Sequence, residues 1–330
     1  MPKDYVLYIH GVNTREERES PNYADELITL VAEQTDGLGL EVVPLPLYWG
    51  DVNRAEEERL LSRFRASKIW NKMWFRGFRE LQMLQFAGDA ALYISRYIGS
   101  KVVKTLREQA IEGVNGQPGF NQLEPGDRLH LVTHSMGTVI LFDVLFAARW
   151  DQPDIPAYRE AQEIRNAIFG LEPHTDLGVR LASIHTMGSP VAIFSLMNVV
   201  SGPDQERGVA ELSWEQRVRV ATHDVTPQLQ KLLANLGGRL PWLNYIHPGD
   251  PVAYPLDPLI FDLVDGERRH LEVEDILATR NDLFGSVIDL AFDQTEFALL
   301  NGGTAHNSYF SNPGVAAHIA GAVKAAARQG

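Results

Sequence analysis

The chain contains no cysteine. Disulfides, thiolate nucleophiles, iron–sulfur clusters and Cys-based zinc sites are therefore excluded. Long apolar runs are missing too. The first, Tyr5 to Ile9, is too short for a signal-peptide core or a membrane span, and no later stretch reaches span length without charges. A transmembrane protein is not expected, and a cytoplasmic location is. Positive charge is scarce overall: 30 Lys and Arg stand against 43 Asp and Glu, a formal charge of −13. That balance argues against nucleic acid as a partner. Internal repeats and low-complexity tracts are also absent.

What is present is the composition of a folded protein. Hydrophobic residues make up 45% and charged residues 22%, which excludes disorder as the main state. A length of 330 residues fits one large α/β domain with insertions or two smaller ones. The charge is unevenly placed. Arg59 to Arg107 carries eleven Lys and Arg against Glu80 and Asp89, a net +9, so the rest of the chain carries −22.

Patterning alternates between strand and helix. Tyr5 to His10 reads as a buried strand ending at Gly11, Asn22 to Gln34 as a helix, and Leu40 to Tyr48 as a second strand whose prolines suit a sheet edge. Strand, helix, strand is a parallel crossover unit. Residues 53–113 read as a helical insertion or cap. Arg128 to Thr133 is the next strand and Met136 to Trp150 the next helix. Residues 151–178 form a polar insertion. Val179 to Thr186 is a strand followed by an apolar helix, Thr226 to Asn235 a helix and Trp242 to Ile246 a strand. Residues 257–300 read as a smaller insertion, and Pro313 to Arg328 as an alanine-rich closing helix. The expected architecture is a mostly parallel central sheet flanked by helices, as one domain over 1–330.

The strongest chemical signal is LHLVTHSMGTVI, residues 129–140. A β-type run, a sharp turn and a helix meet at Ser135, the setting of a nucleophile elbow. Small residues are wanted two before and two after the serine. Gly137 meets the second need, while Thr133 stands where glycine is usual. The helix starting at the serine favours developing negative charge through its N–H groups and dipole. The competing explanation is a strand–turn–helix that happens to contain serine.

The other parts fall in order along the chain. His10–Gly11–Val12–Asn13 follows the first strand, so Val12 or Asn13, with Met136 after the serine, are the candidate oxyanion N–H groups. The alternative for His10 is a hydrogen-bonded turn residue. Asp250 in WLNYIHPGDPVAYPL follows a late strand, where a carboxylate can fix a histidine tautomer. Asp224, Asp257 and Asp262 are its rivals, and a PGDP turn is its plain explanation. His306 in GGTAHNSYF lies before the last helix, whereas His318 lies inside it and reads as packing. The order Ser135, Asp250, His306 is that of an α/β-hydrolase triad.

The chain resembles the α/β-hydrolase superfamily of serine esterases and lipases, and more narrowly the DDHD-type intracellular phospholipases. GDAALYISRYI (88–98), THSMGTVILFDVL (133–145), MGSPVAIFSL (187–196), YIHPGDPVAYPLDPLI (245–260) and AHNSYF (305–310) carry the resemblance. It implies an α/β-hydrolase fold and hydrolysis of carboxylic esters of lipids, with Ser135 as nucleophile. In that family the DDHD residues were named as a candidate metal site, and Asp89, Asp143, Asp250 and His306 stand in family-like strings. We read Asp250 and His306 as triad members and Asp89 and Asp143 as structural helix residues. No metal or organic cofactor is expected. The chain departs from the family by being short, and at Thr133, Met136 and Phe310.

Arg59 to Arg79 mixes Phe64, Trp70, Trp74, Phe75 and Phe78 with seven basic residues. This is the composition of an interfacial helix that meets an anionic membrane, and equally of a packed cap helix whose arginine stems pair with the acidic remainder. The expected function is cleavage of a small-molecule or lipid ester. The alternatives are a membrane- or partner-binding module on a hydrolase scaffold, and an amidase or thioesterase using the same triad.

Overall fold

The computed structural model describes residues 2–12, 14, 20–52, 54–73, 96–147, 150, 153–168, 180–196, 234, 238–279 and 305–329. Six strands form its centre: β1 (Lys3–Ile9), β2 (Glu41–Leu47), β3 (Arg128–His134), β4 (Arg180–Met187), β5 (Leu240–Ile246) and β6 (Leu271–Leu277). They pair in the order β2-β1-β3-β4-β5-β6, and every pairing is parallel. The structure is thus an α/β architecture with an all-parallel sheet.

The continuous apolar runs follow from burial on both faces. Along β1, Tyr5, Leu7 and Ile9 enter one core, while Val6 and Tyr8 enter the other. The first core lies under α3 (Arg96–Glu112), α4 (Met136–Phe146) and α5 (Tyr158–Ile168). The second lies under α1 (Asp25–Thr35) and α8 (Pro313–Gln329), which pack on each other. An exposed helix α2 (Arg54–Arg65), two short helices, α6 (Val191–Leu196) and α7 (Asp257–Leu263), and 3-10 turns at Trp70–Lys72, Phe120–Gln122 and Ser308–Ser311 are also described.

Several boundaries need correction. Residues 257–300, read as an insertion, supply α7 and the edge strand β6 of the same sheet. In its sequence LEVEDIL, exposed Glu272 and Glu274 point to the face opposite Leu271 and Val273. The polar stretch 151–178 contains α5, whose Ala161, Arg165 and Ile168 are buried. Within the expected cap 53–113, α3 buries Val102, Val103, Leu106 and Ala110 in the core beside the sheet. Prolines 44 and 46 lie in β2, an edge strand as expected, in register with Val6 and Tyr8. The expected helix 226–235 lies outside the described residues except at 234, and so do Asp89, Asp224 and Asn13.

A polar seam crosses the sheet within the described residues. Arg128 grips Asp4 with two hydrogen bonds of 2.6 and 2.7 Å. His130 bonds Asp4 at 3.3 Å and Ser183 at 2.7 Å, and His185 continues from Ser183 to the Tyr245 hydroxyl. Tyr245 stacks on the ring of His318, which is exposed on α8. Among the described residues no helix is long and apolar enough to cross a membrane.

Candidate active site

The strand order reverses at β1, which has β2 on one side and β3 on the other. In an open parallel sheet the carboxyl ends diverge at such a point and leave a crevice. Gly11 and Ser135 sit there. Ser135 has φ 53° and ψ −125°, a conformation that side chains with a Cβ rarely adopt. Several bonds hold it. Its N–H donates to the Met187 carbonyl at 2.9 Å, and its carbonyl accepts Thr138 N–H at 2.9 Å and Thr138 Oγ1–H at 2.7 Å.

Two glycines let the chain close around this turn. A Cβ on Gly11 would lie 2.5 Å from Ser135 Cβ, and one on Gly137 would lie 2.5 Å from the Ile9 carbonyl oxygen. Thr133, where glycine is usual, is buried in the sheet beside Ile9 and Thr186 and reaches the His185 carbonyl at 3.4 Å.

The Ser135 N–H is occupied by Met187, so the next N–H along, that of Met136, is the first one at the start of α4. The first N–H groups of a helix lack an intrahelical acceptor. Across the crevice, His10 organises the other loop. Its Nε2 accepts Trp49 N–H at 3.1 Å, which assigns the ring proton to Nδ1, and Nδ1–H donates to the Gly11 carbonyl at 2.5 Å. Trp49 also stacks on the ring, 5.2 Å between centroids. The Gly11–Val12 peptide is planar and trans, so fixing its carbonyl toward His10 turns the Val12 N–H the opposite way. His10 is thus a buried, hydrogen-bonded turn residue.

Asp250 follows β5 in a tight turn, with its N–H on the His247 carbonyl. Its Oδ1 accepts Val252 N–H at 2.9 Å. Its Oδ2 accepts His306 Nδ1–H at 2.9 Å and the Tyr309 hydroxyl at 2.8 Å. Burial alone would raise this carboxyl, but His306, the Val252 N–H and Tyr309 outweigh it and hold the group below the usual range. Of the rivals, Asp257 is half-buried and Asp262 is exposed.

With Nδ1 committed to Asp250, His306 presents Nε2, which is buried and has no hydrogen-bond partner. The same holds for Ser135 Oγ. The structure therefore joins Asp250 to His306 directly and leaves the serine oxygen and the imidazole nitrogen as two unsatisfied buried atoms. Buried polar atoms are seldom left so, and functional sites are a common reason.

Three contributors escaped sequence reasoning. Tyr309 accepts His247 N–H at 2.9 Å while donating to Asp250, and burial followed by the Asp250 charge raises its hydroxyl far above the ordinary range. Its place three residues after His306 was the available signal. His134 donates Nε2–H to the His306 carbonyl at 2.6 Å and packs its ring 4.5 Å from the His306 ring. Burial, then His306, lowers it to about 3, so it is neutral. Gly188, at φ 57°, passes so close that a Cβ there would lie 2.8 Å from Asp250 Oδ2 and 3.1 Å from His306 Cε1.

Of the family's candidate metal set, Asp89 lies outside the described residues; Asp143 Oδ2, in α4, accepts Trp150 Nε1–H at 3.2 Å, and Asp250 and His306 bond each other. Among the described residues no cluster of three or more His, Asp or Glu is placed to hold a metal ion. No protein-family model and no curated protein matches the chain.

Proposed function

We propose that the chain is an α/β-hydrolase that cleaves carboxylic esters through Ser135, His306 and Asp250. The observation that carries this reading is the pair of unsatisfied buried atoms, Ser135 Oγ and His306 Nε2, one on a strained turn and the other on a ring oriented by Asp250. His306 Nε2 takes the Ser135 proton as Oγ attacks the ester carbonyl. The tetrahedral oxyanion is held by Met136 N–H and by Val12 or Asn13. The imidazolium passes its proton to the leaving alcohol, and an acyl-enzyme remains. Water, deprotonated by His306, then attacks it and releases the acid. In the apo site a serine–histidine hydrogen bond is often open and closes only with substrate.

Support also comes from the sheet. Its strand order and the serine at a positive φ after a central strand are what a nucleophile elbow requires. The reading includes lipid acyl esters as substrates and a cytoplasmic setting. A fluorophosphonate probe is expected to label the wild type and not Ser135→Ala. Equal labelling of both would end this reading. Ester, amide and thioester panels of increasing acyl length separate an esterase from an amidase or thioesterase.

A second reading rests on α2 and the turn after it. Leu60, Phe64 and Ile69 are exposed there among Arg59, Arg63, Lys68 and Lys72. This is the chemistry of a patch that meets an anionic membrane. On this reading the chain is a membrane- or partner-binding module on a hydrolase scaffold. Salt-sensitive flotation with anionic vesicles, together with no probe labelling, would favour it. The part of 59–79 beyond Met73 lies outside the described residues.

A further inference from the structure

An apolar slot of about 450 Å3 lies away from the crevice, between the sheet and the helices α3, α4 and α5. Leu7 and Leu131 form its floor, Leu106 and Ala110 one wall, and Ile140 and Ile164 the others. Neither Ser135 nor His306 lines it. Protein interiors are close-packed, and an engineered apolar cavity of roughly 150 Å3 already takes up benzene. Ligand pockets run from about 300 to 1,000 Å3, mostly apolar with a few polar groups. The slot has those dimensions and that lining.

Its polar end is defined. Two ion pairs join α3 to α5: Lys104 to Glu160 at 3.1 Å and Arg107 to Glu163 at 2.5 Å. Arg107, Glu163 and Asn121 are the polar side chains of the slot. Arg107 uses an Nη on Glu163, but its Nε is buried with no hydrogen-bond partner. An unmatched guanidinium N–H at the end of an apolar slot is complementary to a carboxylate on an alkyl chain.

We propose that this slot binds a long-chain carboxylate, with the chain between the helices and the head group on Arg107 Nε. Glu163, half exposed on the rim, shares the guanidinium and turns outward when the ligand's carboxylate arrives. The site is separate from the hydrolase reading and stands or falls without it.

The test is titration of the full chain with a fluorescent long-chain carboxylate, cis-parinaric acid. Ser135→Ala is used beside the wild type so that turnover plays no part. Saturable binding at one site is expected in both. Arg107→Met keeps the aliphatic stem on a partly exposed residue, and is expected to weaken the carboxylate about 10-fold. The matching long-chain alcohol should displace the probe equally well from wild type and Arg107→Met. Ala110→Phe fills the slot from α3 and Ile164→Trp from α5, and each variant that remains folded by circular dichroism should lose binding. No saturable binding to wild type overturns the proposal. So does wild-type affinity in Arg107→Met or in a folded filling variant.

Discussion

Tyr309 donates its hydroxyl to the same Asp250 oxygen that receives His306 Nδ1–H. One oxygen thus has two donors, and the tyrosine oxygen is itself fixed by the His247 N–H. Tyr309→Phe removes a donor from an ionised carboxylate and leaves that N–H without its acceptor. We expect a stability loss of about 1.5–3 kcal/mol in urea unfolding. More charge then remains on Oδ2 to favour the imidazolium, so the acid limb of the pH–rate profile moves to higher pH. Asp250→Asn, which leaves His306 in the wrong tautomer, should cost much more, roughly 10,000-fold in kcat by analogy with serine proteases. A Tyr309→Phe variant with an unmoved acid limb would make the tyrosine a packing residue only.

Gly188 passes close behind Asp250 and His306. In Gly188→Ala the methyl group meets Asp250 Oδ2, Tyr309 Cε2 and His306 Cε1, all at 3.1 Å or less, on a backbone at φ 57°. Strain of about 1–3 kcal/mol is expected, with a fall in kcat of at least 100-fold because reacting groups misplaced by an ångström lose that much. A thermal melt and an ester assay on the same sample separate the two effects.

The His10 ring sets the direction of the Gly11–Val12 peptide. His10→Phe fills the space but abandons the Gly11 carbonyl and the Trp49 N–H. We expect kcat to fall 10- to 100-fold or more, in keeping with roughly 100- to 1,000-fold for a missing oxyanion donor, with KM little changed. A rise in KM at constant kcat would assign the loop to ground-state binding instead.

Stability should fall on acidification in two windows. His134 is held neutral down to about 3, and His185 is likewise lowered well below its ordinary 6.5, in both cases first by burial. Below pH 6.5 the unfolded chain takes up protons that the folded chain refuses. Stability therefore declines as pH falls, by up to about 1.4 kcal/mol per unit for each histidine. Asp250 and Asp4 act lower. Their folded values lie beneath 3.8, so their contribution is full above that pH and is lost as pH drops through the folded values. Urea midpoints from pH 8 to 3 should trace this course, and His134→Gln should make the upper window shallower.

Much of the frame is legible in the residues. YVLYI, RLHLVT and VRLASIHT announce strands because both faces of the sheet are covered, and the turn at Ser135 stands out by its neighbours. Asp250 is legible as a loop residue after a strand; His306, expected on a loop before the last helix, lies instead in a helical turn over 305–307. β6 is not legible, because a strand with three acids in seven residues looks like surface. Tyr309 and His134 are hidden for another reason. Their role depends on a fold that lays residues 134, 247, 250 and 306 side by side, which no local pattern encodes.

The pairing of β1 with β3 has a kinetic consequence. Asp4 meets Arg128 across 124 residues of chain, and the same two strands end at the Gly11 loop and Ser135. Such long-range pairing is slow to form, since the closure entropy is spent before the contacts reward it. The crevice therefore cannot assemble on a nascent N-terminal fragment. During synthesis the serine turn becomes competent only after the first strand has waited, unpaired on its inner side, for the third to emerge.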